Sequence, residues 1–329
     1  MQHSIPMDWT RRRWLAAAGL GISGLAPRAR AEGFPGKPVR VVVPWAAGGG
    51  GDVVVRMLGA RLGERLGQQV VVENRGGATG TIGSALVAKS PADGYTLVYA
   101  TSDSHSIFPN LLKQPPYDAR TDFSAVAPIG YFQFGLAVHP SVPVQTAAEL
   151  LALARRETVT YGTWGVGSSA HVAIESWRQA EKLDLRHVPY QGTAPLLVGL
   201  VGGQLQAAVL PMQIAEQHMR GGGLRMLGLA SPERTPNLPQ LPTLMEQGVA
   251  LDLRSWVGFM GPARLPPEVL ALLHREISAV IAEPAIQDKL RALYVQTDAQ
   301  PQAQYQRFVD GEYARWAKLV RESRVVLDS

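Results

Sequence analysis

The chain has 329 residues, 46% hydrophobic and 18% charged, values of a folded globular protein that exclude a disordered or largely membrane-embedded chain. Its formal charge of +5 is concentrated in residues 1–31, which hold Arg11, Arg12, Arg13, Arg28 and Arg30 against Asp8 alone. The remaining 27 basic and 26 acidic side chains nearly cancel, which argues against a nucleic-acid partner.

The first 31 residues carry the clearest local signal. Thr-Arg-Arg-Arg-Trp-Leu at Thr10–Leu15 runs into a short apolar stretch ending at Leu25, and Ala29-Arg30-Ala31 follows. A charged start, a short apolar run and a small-x-small site predict a signal peptide over 1–31, with consecutive arginines that resemble the twin-arginine type. The other reading is an N-terminal amphipathic helix. The apolar run falls short of the ~20 residues that cross a bilayer. The sequence contains no cysteine, so no lipid-bearing cysteine, disulfide, thiolate metal site or attached haem is expected. The mature chain is therefore expected to be soluble in the periplasm and not lipid-anchored.

From Lys37 strands and helices alternate. Val39 to Val43 is an unbroken β-branched run, suited to a strand buried on both faces. The loop Pro44-Trp45-Ala46-Ala47-Gly48-Gly49-Gly50-Gly51-Asp52 leads into a helix marked by Val54, Met57, Leu58, Leu62 and Leu66, with Asp52 expected as its N-cap. A strand at 69–73, a glycine-rich loop, a helix near 81–89 and a strand at 95–101 follow. Tyr131 to His139 reads as one long extended stretch.

A second unit opens with a strand at 159–161, the loop Gly162-Thr163-Trp164-Gly165-Val166-Gly167-Ser168 and a helix near 169–182. Strands at 187–190, 206–210 and 224–230 alternate with helices near 194–201 and up to Arg220. Arg254 to Gly261 is again extended, and from Pro266 the tail reads as helices, the last with Phe308, Tyr313, Trp316 and Val320 at helical spacing. Such alternation predicts an α/β fold of two doubly wound lobes, with parallel strands and helices on both faces. The two extended stretches would be a two-strand hinge, giving lobe 1 over 34–135 plus 255–329 and lobe 2 over 136–254. The tail is expected to return to lobe 1.

A glycine-rich turn ahead of a helix exposes unpaired N–H groups at the positive end of the helix dipole, which suits an anion. Either loop alone could be only a tight turn. The pair, each after the first strand of its unit, points to a two-sided cleft. Neither loop fits a nucleotide fingerprint. Ser168 with His171, and Asp103 with His105, are the candidate catalytic pairs, but no nucleophile elbow and no metal-ligand spacing accompanies them, so neither an enzyme nor a bound metal or cofactor is expected. Trp45, Trp164 and Phe134 fall in or beside the loops. They could pack the loop bases or form an apolar wall for the ligand, while Gln191-Gly192-Thr193 would add donors on the same side.

The blocks "FPGKPVRVVVPWAAGGGGD", "QQVVVENRGGATGTIGSALVAKSPADGYTL", "YGTWGVGSSAH", "HVPYQGTAPLLVGLVGGQ" and "LGLASPERTPNLPQLPTLMEQG" occur in this order. In these the chain resembles the Bordetella uptake gene family, the periplasmic receptors of tripartite tricarboxylate transporters, over nearly all of 34–322. The resemblance implies a type II periplasmic binding fold closing on a small organic carboxylate, a monomer that delivers to membrane permease subunits or, alternatively, presents its closed form to a signalling partner. Carried over, Trp45, Ala46, Ala47, Gly48 and Gly49 would face Thr163, Trp164, Gly167, Ser168 and Ser169 across the ligand's carboxylate. Ser102 to His105, Phe134, Gln191, Gly192, Thr193 and Leu210 would line the remainder. Two departures from the family pattern are visible. The first loop lacks the usual prolines before its glycines, and Leu210-Pro211 stands where an aspartate is common. The first would change how tightly that loop grips; the second, with Trp45 and Trp164 nearby, favours an apolar or aromatic acid.

Overall fold

A computed structural model describes residues 33–327, so the predicted signal peptide lies outside the described residues. The β-branched run Val39–Val43 is strand β1, and it pairs in parallel with β2 (Val70–Asn74) on one side and β3 (Thr96–Thr101) on the other. Helix α1 (Gly50–Leu66) covers this unit with a buried stripe of Val54, Val55, Leu58 and Leu62. Helix α2 (Thr81–Ala88) precedes β3. After β3 the chain makes a wide π-type turn over Asp103–Ile107 and a short helix α3 (Phe108–Leu111).

Strand β4 (Phe123–Phe132) stays in the first sheet, Gln133 interrupts it, and β5 (Phe134–Val138) continues in the second. The expected single stretch from Tyr131 to His139 is thus the junction of two strands. Helix α4 (Ala147–Ala154) has a capping box of Thr146 and Glu149, a signature that the hydrophobic pattern alone did not bring out. Then come β6 (Val159–Thr163), α5 (Ser169–Glu181), β7 (Leu185–Pro189), α6 (Thr193–Val201), β8 (Ala207–Pro211), α7 (Met212–Arg220) and β9 (Arg225–Leu229). The chain re-enters the first sheet as β10 (Ser255–Pro262) and ends in α8 (Pro267–Ile281), α9 (Pro284–Ala292), β11 (Val295–Thr297) and α10 (Gln302–Ser323).

Strand orders are β11-β4-β10-β3-β1-β2 and β7-β6-β8-β5-β9. Both sheets are mixed: each holds the expected parallel unit, and the other strands run antiparallel. Strands joined through crossover helices are parallel, whereas β10 runs antiparallel to β3 and β4, and β5 antiparallel to β8 and β9. A strand that arrives from the other sheet has no crossover helix to turn it round. In each sheet the first strand of the parallel unit lies between the next two, β1 between β2 and β3, β6 between β7 and β8. Ligand crevices open outside the carboxyl ends of strands at such switch points. Here those ends are Pro44–Gly49 and Trp164–Ser168.

The tail departs from expectation in two respects. Three-residue β11, too short to show alternation, pairs with β4. Helix α10 does not lie on the first sheet alone. Tyr305 and Val309 enter a core with Trp256 and Phe123, while Trp316 and Val320 enter one with Trp177, Ala170 and Ile174 of α5. The helix rests on both halves of the molecule.

Candidate functional site

Helix α1 begins at Gly50 with Gly49 as its N-cap, and no side chain caps the first turn. Asp52 is therefore not the N-cap expected from sequence. It sits within the first turn, buried, and its carboxylate reaches back to accept the Gly48 N–H at 2.9 Å, Arg56 Nε at 3.1 Å and Asn74 Nδ2 at 3.0 Å. Burial pushes this carboxyl up, but the hydrogen bonds from Arg56, Gly48 and Asn74 outweigh it, and the net shift is downward. Asn74 Nδ2 also donates to Trp45 O, so the end of β2 braces the loop. Gly48 has φ +81, a conformation glycine adopts without cost.

Ala46, Ala47, Gly48 and Gly49 are exposed, and half-buried Trp45 packs its indole over Gly80, ahead of α2. Gly50 faces the Phe132 ring at the end of β4 and the side chain of Gln213 in α7, the latter close enough that a Cβ would lie 3.2 Å from its Oε1. Sequence reading missed Phe132 and Gln213 because neither lies in a glycine-rich loop.

The second loop is tied more tightly. Thr163 Oγ1 donates to Gly165 O and lies 2.7 Å from His187 Nε2. Ser168 caps α5, accepting the His171 N–H while donating to Gly165 O at 2.8 Å, and the Gly167 N–H donates to His171 Nδ1 at 3.0 Å. Ser168 and His171 are thus both committed to loop backbone. Trp164, half-buried, stacks on Phe134 with centroids 5.2 Å apart. The Gly192 N–H donates to Trp164 O, which brings exposed Gln191 and half-buried Gly192 and Thr193 beside the loop.

The turn after β3 crosses to this loop. Asp103 Oδ1 accepts the Ser169 N–H at 3.1 Å. Burial raises its carboxyl to about 6, opposed by Ser169 and the Trp164 indole.

Several expected site residues are fully enclosed instead: Thr163, Ser168 and Ser169 in the second loop, and Ser102, Ser104, His105 and Leu210 elsewhere. His105 is packed between Tyr117, Phe123 and Trp256, with Nδ1 at 2.9 Å from Ser104 Oγ, and burial holds it down to about 3. Ser102 Oγ accepts the Trp256 N–H, and Leu210 lies in the core between Ala208 and Met212. Ser102 and His105 follow β3, and Leu210 is next to last in β8, close enough to reach the crevice by count, but their side chains are buried. A cavity of ≈ 500 Å³ exists beside Val166, Phe108 and Leu327, yet none of the loop-1 residues, Phe134 or Trp164 borders it. It is not the crevice between the two switch points.

His171 and His187 stack face to face, with centroids 3.8 Å apart. Burial, then Arg178, holds His171 down to about 4; burial, then His171, does the same for His187, against Glu175. Both bind a proton less readily folded than unfolded, where histidine titrates near ~6.5. Their stability is complete above that pH and is lost as pH falls from about 6.5 to about 4. Asp103 opposes them: its raised carboxyl contributes stability at low pH that is lost as pH rises through about 6. The unfolding midpoint is expected to fall by several degrees between pH 7 and pH 4.5. His171→Gln should flatten that decline, by on the order of 2 kcal/mol at the acid end. Thermal melts of both proteins across this range check it, and an unchanged slope would contradict it.

Residues 54–325 match the family described as "Tripartite tricarboxylate transporter family receptor". Protein BugT of Bordetella pertussis is 32% identical over 317 residues, covering 94% of this chain and 97% of BugT. Among solved structures, R. palustris Rpa4515 with adipate is 31% identical with a TM-score of 0.80, covering 89% of this chain and 99% of that one. MatC from Rhodopseudomonas palustris with bound malate is 28% identical with a TM-score of 0.77, covering 87% and 100%. The chain belongs to the tripartite tricarboxylate transporter receptor family and is a solute-binding receptor of the two-sheet α/β kind.

Proposed function

We propose that the chain is exported to the periplasm, captures a small organic carboxylate between its two lobes and delivers it to membrane permease subunits. The observation that carries this is the first turn of α1, which no side chain caps and which lies at a switch point with Gly50 beside Phe132 and Gln213. Ala46 to Gly49 would hold the carboxylate, with Trp164 and Phe134 as an apolar wall and Gln191 to Thr193 at the rim. That wall favours an apolar or aromatic body on the ligand. The adipate and malate bound by two relatives support the carboxylate class.

Sequence reading divides the lobes at 135/136, but β5 (Phe134–Val138) lies in the second sheet. Lobe 1 would therefore comprise 34–133 and 255–329 and lobe 2 134–254, hinged at Gln133 and ahead of Ser255, with the second half of α10 resting on lobe 2. Closure follows from differential binding, because only the closed arrangement touches the ligand from both sides. The receptor would act as a monomer. Native mass spectrometry of the mature protein as purified tests the reading. A bound organic acid, released on denaturation, is expected. An unliganded mass in every preparation, together with no rise in melting temperature across a broad acid panel, would overturn it.

A further inference from the structure

The loop after β6 is tied down by two histidines. His187 Nε2 lies 2.7 Å from Thr163 Oγ1 at the start of the loop, and His171 Nδ1 accepts the Gly167 N–H at 3.0 Å near its end. Trp164, which stacks on Phe134, stands between these two ties. The two imidazoles are themselves stacked, with centroids 3.8 Å apart and planes 16° from parallel.

The bond from Gly167 fixes the state of His171. A backbone N–H can only donate, so Nδ1 is unprotonated and the ring is neutral, with its proton on Nε2. A second proton would go to Nδ1 and set donor against donor at Gly167. His171 is 8% exposed, and no carboxylate beside it is free to offset that loss. Glu175, one turn along α5, already accepts Tyr161 Oη of β6 at 2.6 Å and Arg178 Nε at 2.8 Å. Asp103, on the turn that meets the start of α5, accepts the Ser169 N–H. Arg178 is a cation, a charged His187 of β7 would add another, and α10 brings Trp316 and Val320 to the core that holds Ala170 and Ile174 of α5.

We propose that His171 is a positioning residue that acts as a proton-sensitive latch: neutral, it holds the Trp164 loop in place; protonated, it releases Gly167, and the receptor's grip on its ligand weakens in acid. This rests on the carboxylate-receptor reading above, in which Trp164 forms the apolar wall. The direction follows from the two states of the ring. Latched, His171 takes up a proton only at about 4, whereas in an open, solvated loop it would titrate near ~6.5. Acid therefore favours the open loop, beginning as pH falls below about 6.5 and reaching on the order of tenfold or more by pH 5.

Hydrogen–deuterium exchange of the mature protein, freed of bound acid by dialysis, tests the latch at pH 7 and pH 5. After correction for intrinsic rates, opening of segment 163–168 is expected to rise tenfold or more at pH 5, while β1 keeps its protection. His171→Asn, whose amide oxygen can stand where Nδ1 does but does not titrate, should cut that rise to twofold or less. A purely structural histidine, once replaced, would loosen the loop equally at both pH values. The wild type gives a second readout: the coupling between the nitrogen-15 nuclei of Gly167 and His171 Nδ1 across their hydrogen bond should disappear as the loop opens. A segment equally protected at both pH values, acid opening unchanged in a folded His171→Asn, or a ring that charges while the loop stays closed would each overturn the latch. Calorimetric titration with adipate and benzoate reads its effect on binding. Between pH 7 and pH 5 wild-type affinity should fall at least fivefold further than that of His171→Asn. An equal fall in both would disconnect the loop from the ligand and overturn the inference. Failure of every organic acid tried to bind at pH 7 removes the receptor reading, whereas hydrogen exchange still decides whether the latch exists.

Discussion

Gly49→Asp is expected to weaken carboxylate binding about 100-fold while leaving the fold as stable as before or slightly more so. Gly49 is the N-cap of α1, exposed, with φ −72 and ψ 165, a backbone region open to any residue. A Cβ there would meet only Ala46 O, at 3.4 Å. An aspartate in this conformation accepts first-turn N–H groups with its side chain, and exchanging Gly for Asp at an N-cap changes stability by only a few tenths of a kcal/mol. The ligand would then find the donors taken and a negative charge in its place, the condition Asp103 already creates at α5. About 100-fold corresponds to about 2.7 kcal/mol of binding energy. Titration and melting of one preparation read the two effects separately. Retained affinity in a well-folded variant would remove the α1 N-terminus from the site.

Trp316→Ala is expected to cost about 3–5 kcal/mol, the range for emptying a buried Trp or Phe site. Trp316 is 0% exposed, and its indole donates to Glu312 Oε2 at 3.2 Å. It is the largest side chain by which α10 enters the core that includes Trp177 and Ile174. Val320→Ala, two methyl groups smaller at an 8% exposed position, should cost about 1–2 kcal/mol. Urea unfolding of the two variants checks the order. A loss below 1 kcal/mol for Trp316→Ala would mean that the second half of α10 is not held by packing.

Local periodicity made the parallel units of both sheets readable. Val39–Val43 could scarcely be anything but a buried strand, and the turn before Ser169 declared a helix start. Four consecutive glycines, by contrast, carry no capping signature. The start of α1 was therefore set by the first polar residue, Asp52, which instead braces the loop from within the helix. Side-chain direction at strand ends was equally hidden. One residue of register turns a side chain from crevice to core, as Ser102 and Leu210 show. His105 is enclosed by Tyr117, Phe123 and Trp256, residues whose proximity no local pattern encodes. Asp103 was visible as a polar residue after a strand, but its role depends on Ser169, 66 positions away and in the other half of the molecule.

The central claim is that a carboxylate group, and not merely a ligand of the right shape, is held at the α1 N-terminus. Calorimetric titration of the mature protein with an organic acid found to bind, and then with its primary amide, tests this most directly. The amide keeps size and shape but carries no charge. Saturable one-to-one binding of the acid, with the amide at least 100-fold weaker, is the expected result. An amide bound as tightly as its acid would contradict it.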